Sequence, residues 1–199
     1  MTEIKYFGRW TADDVVIEDP GLVNYITFEP VHVPKTGARY AKSRFHKSNI
    51  SIVERFMNKI MGAGHKGKKH VHSTGNTTGK AQTVLSIMED MLEIIEKKTG
   101  RNPIAVLVSG IVNGAPREEI IAIEYGGARY PKAVECAPQR RIDLTIRLMT
   151  QSANQKAFDS KKAIAQALAD EVMFASEFSP NSAVISKKND TERQADSAR

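Results

Sequence analysis

Cysteine is almost missing from this chain, with Cys136 the only one in 199 residues. A disulfide framework and a cysteine-based zinc site are therefore excluded within one chain, and a reducing, cytosolic address is expected. Long apolar runs are missing as well. The opening MTEIKYFGRW holds a glutamate and no stretch of secretory length, and no later run approaches a membrane span. A membrane partner is not expected. Acid is absent from residues 35–48, KTGARYAKSRFHKS, which carry five basic residues. Internal repeats of useful length are absent too, which excludes solenoid and propeller architectures.

What is present is a basic chain whose charge is unevenly placed. Formal net charge is +6 and the isoelectric point is near 9.4, which favours polyanionic partners. Between Lys35 and Lys80 eleven basic residues face the single acid Glu54, while residues 1–34 carry six acids and two bases. The hydrophobic fraction of 41% suffices for one helical core if its apolar residues are periodic. One domain with an appended arm is the natural expectation at this length.

Residues 1–34 mix aromatic, acidic and proline residues (Tyr6, Phe7, Trp10, Asp13, Asp14, Pro20, Pro30, Pro34) without helical period, which reads as an extended extension. The segment 35–48 is poorly suited to fold alone and suited to lie on phosphates. That makes Lys35, Arg39, Lys42, Arg44 and Lys47 candidate RNA-binding residues, with Tyr40 and Phe45 as stacking candidates. Residues 1–48 and the tip of the hairpin described below carry charge in place of core, so both are expected to be mobile in the free protein.

From Asn49, read as a cap, Val53, Phe56, Met57 and Ile60 fall at helical spacing. The glycines Gly62 and Gly64 then lead into HKGKKHVHSTGNTTGK, with four lysines and three histidines. Val84, Ile87, Met88, Met91, Leu92 and Ile95 form one stripe of a second helix that stops at Lys97, Lys98 and Gly100. A third apolar segment, Ile104 to Val112, reads as helix, with its β-branched content leaving a strand open. EEIIAIEY and ARYPKAVE flank Gly126-Gly127, the grammar of a hairpin at about residues 116–136, and Pro131 places its strand at an edge. A fourth helix covers Gln139 to Phe158 on Ile142, Ile146, Met149, Ala153 and Ala157. Ser160 is expected to cap a fifth with Ile164, Ala165, Leu168, Val172 and Met173 inward. The tail from Ser182 to Arg199 reads as helical but exposed. The fold class is thus mainly α: a bundle of about six helices over 49–199, a protruding β-hairpin arm, and an extended extension over 1–48.

Three chemical readings fail on spacing. GNTTGK at Gly75–Lys80 has three residues between its glycines where a phosphate-binding loop needs four, and Ala81 stands where a metal-binding hydroxyl belongs. His65, His70 and His72 match no standard metal spacing, and partial protonation against phosphate suits them better, with His70 a candidate RNA-binding residue. Ser109, Cys136 and scattered carboxylates form no nucleophilic constellation, and Cys136 reads as a small buried residue at the hairpin base. Neither a cofactor nor catalysis is expected. A basic RNA-processing enzyme would need a titrating site or cofactor loop, and a helical DNA-binding regulator would need a short turn and supporting helix before the fourth helix, where the hairpin stands instead.

In chain order, IVERFMNKIM followed by GKK, NPIAVLVSGIVNGAPRE, YGGARYPKAVE, RRIDLTIRLMTQSANQKAF and SKKNDTERQADSAR resemble the small-subunit ribosomal protein seven family. The likeness covers about residues 50–199, and residues 1–48 look like the extension of its archaeal and eukaryotic branch. The resemblance implies a structural constituent of the small ribosomal subunit that binds the 3′ major domain of the ribosomal RNA and begins head assembly. It also implies a seat near the exit site, with the hairpin beside messenger RNA and exit-site transfer RNA, and neighbouring ribosomal proteins as further partners. Carried over, Lys66, Lys68, Lys69, Arg140 and Arg141 should face ribosomal RNA, and the tip residues Gly126, Gly127, Ala128, Arg129 and Tyr130 should lie near messenger and transfer RNA. Bacterial members place more basic residues along the first hairpin strand, where this chain has Ile120, Ala122 and Glu124.

Overall fold

Six helices and one antiparallel pair of strands are found among the described residues of a computed structural model, namely 4–13, 15–29, 31–37, 41–42, 44–64 and 77–199. They are α1 (Ile52–Ile60), α2 (Ala81–Thr99), α3 (Pro103–Gly114), β1 (Glu118–Tyr125), β2 (Ala128–Glu135), α4 (Pro138–Ala157), α5 (Ile164–Ser176) and α6 (Ala183–Asp196). The expected mainly α bundle with a hairpin arm is the fold the chain adopts. Short 3-10 turns at Val23–Tyr25 and His46–Asn49 precede α1.

Each boundary has a local cause. Ser51, two residues after the expected Asn49, caps α1 by accepting from the Val53 N–H at 3.3 Å. Asn102 caps α3 at the Ile104 N–H, 3.0 Å away, with Pro103 at the first helical position where a missing N–H costs nothing. Gly100, at φ +64°, ends α2 in the left-handed conformation that glycine adopts cheaply. The fifth helix departs from expectation. It starts at Ile164 behind Ala163, because the Ser160 hydroxyl is engaged by the Lys162 N–H in a turn of its own.

The core is assembled around α5, which packs on α2, α3 and α4. Ala165, Ala167, Ala169 and Ala175 are buried on it, and short side chains let neighbours approach closely. Val84, Met88, Met91, Leu92 and Ile95 of α2 are fully buried, as their spacing requires. Phe56 is fully buried, but Phe158 is 46% exposed because it lies at the C-cap of α4, beyond the buried stripe.

Gly114 marks the tightest crossing. A Cβ there would lie 2.6 Å from Val184 Cγ1 and 2.7 Å from Thr145 Cγ2, and both partners are fully buried, β-branched and stiff. Gly114→Ala is therefore expected to destabilise the protein by about 1–3 kcal/mol despite alanine's better helix propensity. A urea midpoint at or above the wild-type value would refute that crowding.

Residues 1–48 are not a coreless extension. Tyr6, Trp10, Ala12, Val15, Leu22 and Ile26 are buried in the main core. The Tyr6 hydroxyl reaches the Glu29 carbonyl at 2.7 Å, the Trp10 indole donates to Glu96 at 3.1 Å, and Asn102 donates to the Thr11 carbonyl at 2.8 Å. Thr27 pairs in parallel with Ser51. The expectation of charge in place of core fails for these residues because aromatic side chains without period still bury large area.

The tail is helical as expected but not simply exposed. In α6, Val184, Ile185 and Ala195 are buried, and the helix packs on β1 and α4. Its Glu192 accepts from the Arg117 N–H at 2.9 Å, Lys188 donates to the Asn113 carbonyl at 2.9 Å, and Arg199 pairs with Glu118.

Strands β1 and β2 run in register from Glu118 opposite Glu135 to Tyr125 opposite Ala128. The two-residue turn has φ +58° at Gly126 and +81° at Gly127, the sign that a right-handed strand twist prefers. Both strands are edges of this two-stranded sheet, so Pro131, opposite Ala122, breaks no inner ladder.

Candidate nucleic-acid interface

The candidate basic residues that are described lie at a cleft, in the segment before α1 and on the hairpin. The cleft lies between the end of α1 and the middle of α4, holds about 610 Å³, and is lined by Asn58, Lys59, Arg147 and Gln151 among others. Among the described residues, neither the Lys59 nor the Arg147 side chain has an ion-pair partner. Arg147 has Asp143 one turn earlier on the same helix. Asp143 instead accepts from Lys47 and from the buried Arg55, each at 3.1 Å, and Arg147 remains exposed. Lys59 was missed, since a single lysine at the end of an amphipathic helix carries no signal of its own.

Burial alone would raise the Asp143 carboxyl, but the Lys47 hydrogen bond and the Arg55 guanidinium outweigh it and hold the group below its ordinary value. Lys47 thereby joins the 3-10 turn His46–Asn49 to α4. Among the other candidates upstream, Lys35, Lys42 and Arg44 are exposed, and Arg44 sits 4.8 Å from the centre of the exposed Phe45 ring. Thr36 is anchored through its N–H and hydroxyl to the buried Glu54. Arg39, Tyr40, Lys66, Lys68, Lys69 and His70 lie outside the described residues, as do His65 and His72.

At the hairpin base the two adjacent arginines part ways. Arg140 is exposed and grips Glu119 through two hydrogen bonds of 2.6 Å. Arg141, also expected to face RNA, is 7% exposed and binds Asp19 at 2.7 Å and the Pro116 carbonyl at 3.0 Å. Successive helical residues point about 100° apart, and here Arg140 lies on the outer side while Arg141 is drawn inward to Asp19. Arg141 is a bolt between the N-terminal segment and the hairpin base.

Along the arm, alternation puts Ile121, Ile123 and Tyr125 on one face with Tyr130 and Lys132 across the ladder. Tyr125 and Tyr130 are 81% and 58% exposed, and Arg129 is exposed with Glu124 at 3.5 Å. The tip thus offers two aromatic faces and a planar cation, and its glycines admit a close backbone approach.

Cys136 is buried at the hairpin base as read from the sequence, and burial with the neighbouring Glu119 charge pushes its thiol up to about 11. A thiolate nucleophile is thereby disfavoured. Among the described residues no three His, Cys, Asp or Glu side chains gather as a metal site, and no helix is long and apolar enough to cross a membrane.

A second carboxylate bridge ties the bundle together. Asp170 of α5 accepts from Lys98 of α2 at 2.8 Å and also pairs with Lys162. Burial opposes its ionisation, yet the two lysine hydrogen bonds win and lower its pKa. A lowered folded value stabilises above the unfolded carboxylate range, about 3.9, and the gain is lost as pH falls through the folded value. Asp170→Asn is therefore expected to flatten the loss of stability below about pH 4, read from urea midpoints across an acid series. An unchanged acid limb would exclude the bridge as a contributor.

Comparison with known proteins agrees with this order of elements. Residues 23–199 match the family described as Ribosomal protein S7p/S5e. The chain is 47% identical to the small ribosomal subunit protein uS7 of Nanoarchaeum equitans over 197 residues, covering 99% of this chain and 100% of the relative. Its counterpart in Methanosphaera stadtmanae is 46% identical over 98% of both chains, and that of Archaeoglobus fulgidus is 42% identical over 99% of this chain and 96% of the relative. The N-terminal segment that supplies Tyr6 and Trp10 to the core is spanned by these alignments of nearly full length. A helical bundle with a glycine-tipped arm, matched almost end to end by such relatives, belongs to the ribosomal protein S7p/S5e family.

Proposed function

We propose that this chain, a structural constituent of the small ribosomal subunit and not an enzyme, binds the 3′ major domain of small-subunit ribosomal RNA and nucleates assembly of the subunit head. Its place of action is the cytoplasmic ribosome. The observation that carries the RNA reading is the cleft between α1 and α4, where Lys59 and Arg147 have no ion-pair partner among the described residues, beside the basic segment that ends at Lys47. Unpaired cations can take phosphates without first breaking an ion pair. Structured RNA offers phosphates, a shallow groove and stacked loop bases, which suit lysines on a cleft wall and arginines on a loop.

The hairpin supplies the second part of the reading. A narrow arm with Gly126 and Gly127 at its turn and Tyr130 and Arg129 beside it is built to lie against messenger RNA and exit-site transfer RNA. Ribosomal proteins of the same subunit are the expected protein neighbours. The test is binding of the purified protein to a 3′ major domain RNA fragment at several salt concentrations, with unrelated transfer RNA as competitor. Tight binding that survives competitor is expected. Binding no better than to competitor would reduce the chain to a nonspecific polycation.

A further inference from the structure

Two acids of the N-terminal segment flank a groove of about 410 Å³, lined by Ala12 and Asp13 from one stretch of chain and by Ile26, Thr27, Phe28 and Glu29 from another. Ala12 and Ile26 are buried, Thr27 and Phe28 are half-buried, and Asp13 and Glu29 are exposed. The groove therefore has a largely apolar floor and one carboxylate from each of the two stretches. Among the described residues neither the Asp13 nor the Glu29 side chain has an ion-pair or hydrogen-bond partner. Asp19, Asp143, Asp170 and Glu171, by contrast, each meet at least one cation. Val16 and Val23 of the same segment are exposed as well.

The backbone carries a second, independent sign of a partner. Ile26 is extended, at φ −117° and ψ 115°, and the Thr27 carbonyl accepts from the Ile52 N–H at 2.8 Å in the parallel pairing with Ser51. Neighbouring residues of an extended chain turn their N–H and C=O groups to opposite edges, so those of Phe28 point away from Ser51. Among the described residues they have no hydrogen-bond partner. One rung of a strand edge is thus open at a residue that lines the groove. An RNA phosphate would meet two carboxylates here and no cation among the lining residues.

We propose that this groove docks an extended, basic segment of a neighbouring protein of the same subunit, whose cations meet Asp13 and Glu29 while one apolar side chain covers Ile26 and Phe28. The source of the segment rests on the ribosomal neighbours proposed above, and its chemistry on the groove alone. A basic tail is drawn to the acidic part of an otherwise basic surface, and charge of opposite sign fixes its register. The Phe28 N–H and C=O add main-chain hydrogen bonds of the kind that strand addition uses.

The test follows backbone amide signals of the full chain in nitrogen-edited proton spectra while a capped nonapeptide of lysines with a central leucine is titrated. Saturable shifts confined to Asp13 and residues 26–29 are expected, against the repulsion of a net charge of +6. Asp13→Asn with Glu29→Gln should weaken binding about tenfold, roughly threefold for each exposed ion pair. Both residues are exposed, so the fold should survive. A central glycine in place of leucine should weaken binding several-fold, and glutamates in place of lysines should abolish it. No saturable shift at these residues, or an affinity that the double variant or the glycine peptide leaves unchanged, overturns the groove. The double variant should leave affinity for the 3′ major domain fragment unchanged. A rise would place RNA over the groove and overturn the proposal while sparing the RNA reading. Peptide docking as expected, with the fragment bound no better than competitor, does the reverse.

Discussion

Glu171→Ala is expected to destabilise the protein by about 3 kcal/mol, the largest effect of any single substitution considered, and to release α6 first. Glu171 sits on α5 with no exposed surface. One carboxylate oxygen accepts from Lys156 at 2.6 Å and Ser152 at 3.1 Å on α4. The other accepts from the Ser182 hydroxyl at 2.8 Å and the Val184 N–H at 3.2 Å at the start of α6. A single buried charge thus fastens three helices and completes the α6 cap begun by Ser182. Removing one partner of a buried pair commonly costs about 3–5 kcal/mol because polar groups remain dry and unmet. The low end applies here, since the Lys156 side chain is 38% exposed and can turn to water. For a chain of this length that corresponds to a fall in melting temperature of roughly 6–12 °C. Hydrogen exchange at Val184 and Ile185 should accelerate before exchange in α5 does. A loss below about 1 kcal/mol, or uniform acceleration across the bundle, would show that the carboxylate is not the fastening.

Reversing the two unpaired cations of the cleft, Lys59→Glu with Arg147→Glu, is expected to lower affinity for the 3′ major domain fragment about a hundredfold, at about 1.4 kcal/mol for each lost contact. The slope of log affinity against log salt should fall by about two units, since each phosphate contact contributes roughly one. Stability should barely change, because Arg147 is exposed, Lys59 is half-buried, and neither side chain has an ion-pair partner among the described residues. Arg140→Glu is the useful contrast. Arg140 already grips Glu119, so its reversal should reduce the salt slope less while disturbing the hairpin base more. Equal effects from the cleft pair and from Arg140 would mean that bulk charge, and not the cleft, attracts the RNA.

Local rules made the helices and the arm legible. The α2 stripe, the Gly126-Gly127 turn and the stop at Gly100 each depend on residues within one or two turns of each other. What escaped depends on partners far along the chain. Trp10 meets Glu96, and Asp19 meets Arg141 across 122 positions. Nothing near Trp10 or Asp19 announces those meetings, so an aromatic, acidic segment without period read as an extension when it is part of the core. The same distance rule governs the candidate interface. Arg140 and Arg141 look alike in sequence, and only Asp19 decides which of them is turned inward. Asp143 stands one turn before Arg147, yet Lys47 and Arg55 hold that acid from other elements. The family resemblance pointed to surfaces, while which of their cations stand exposed and which are held inward needed three dimensions.

The bolt between Asp19 and Arg141 also orders events during synthesis. A nascent chain emerges N-terminus first, so Asp19 waits for more than a hundred further residues before its partner exists. Trp10 waits almost as long for Glu96. Until α2 and α4 have been made, the acidic segment and the basic segment behind it are free to meet other molecules. Long-range closures of this kind fold slowly and leave apolar surface waiting. Tyr6, Trp10 and Leu22, buried in the finished fold, are among the apolar side chains that cannot be fully covered until those later helices exist.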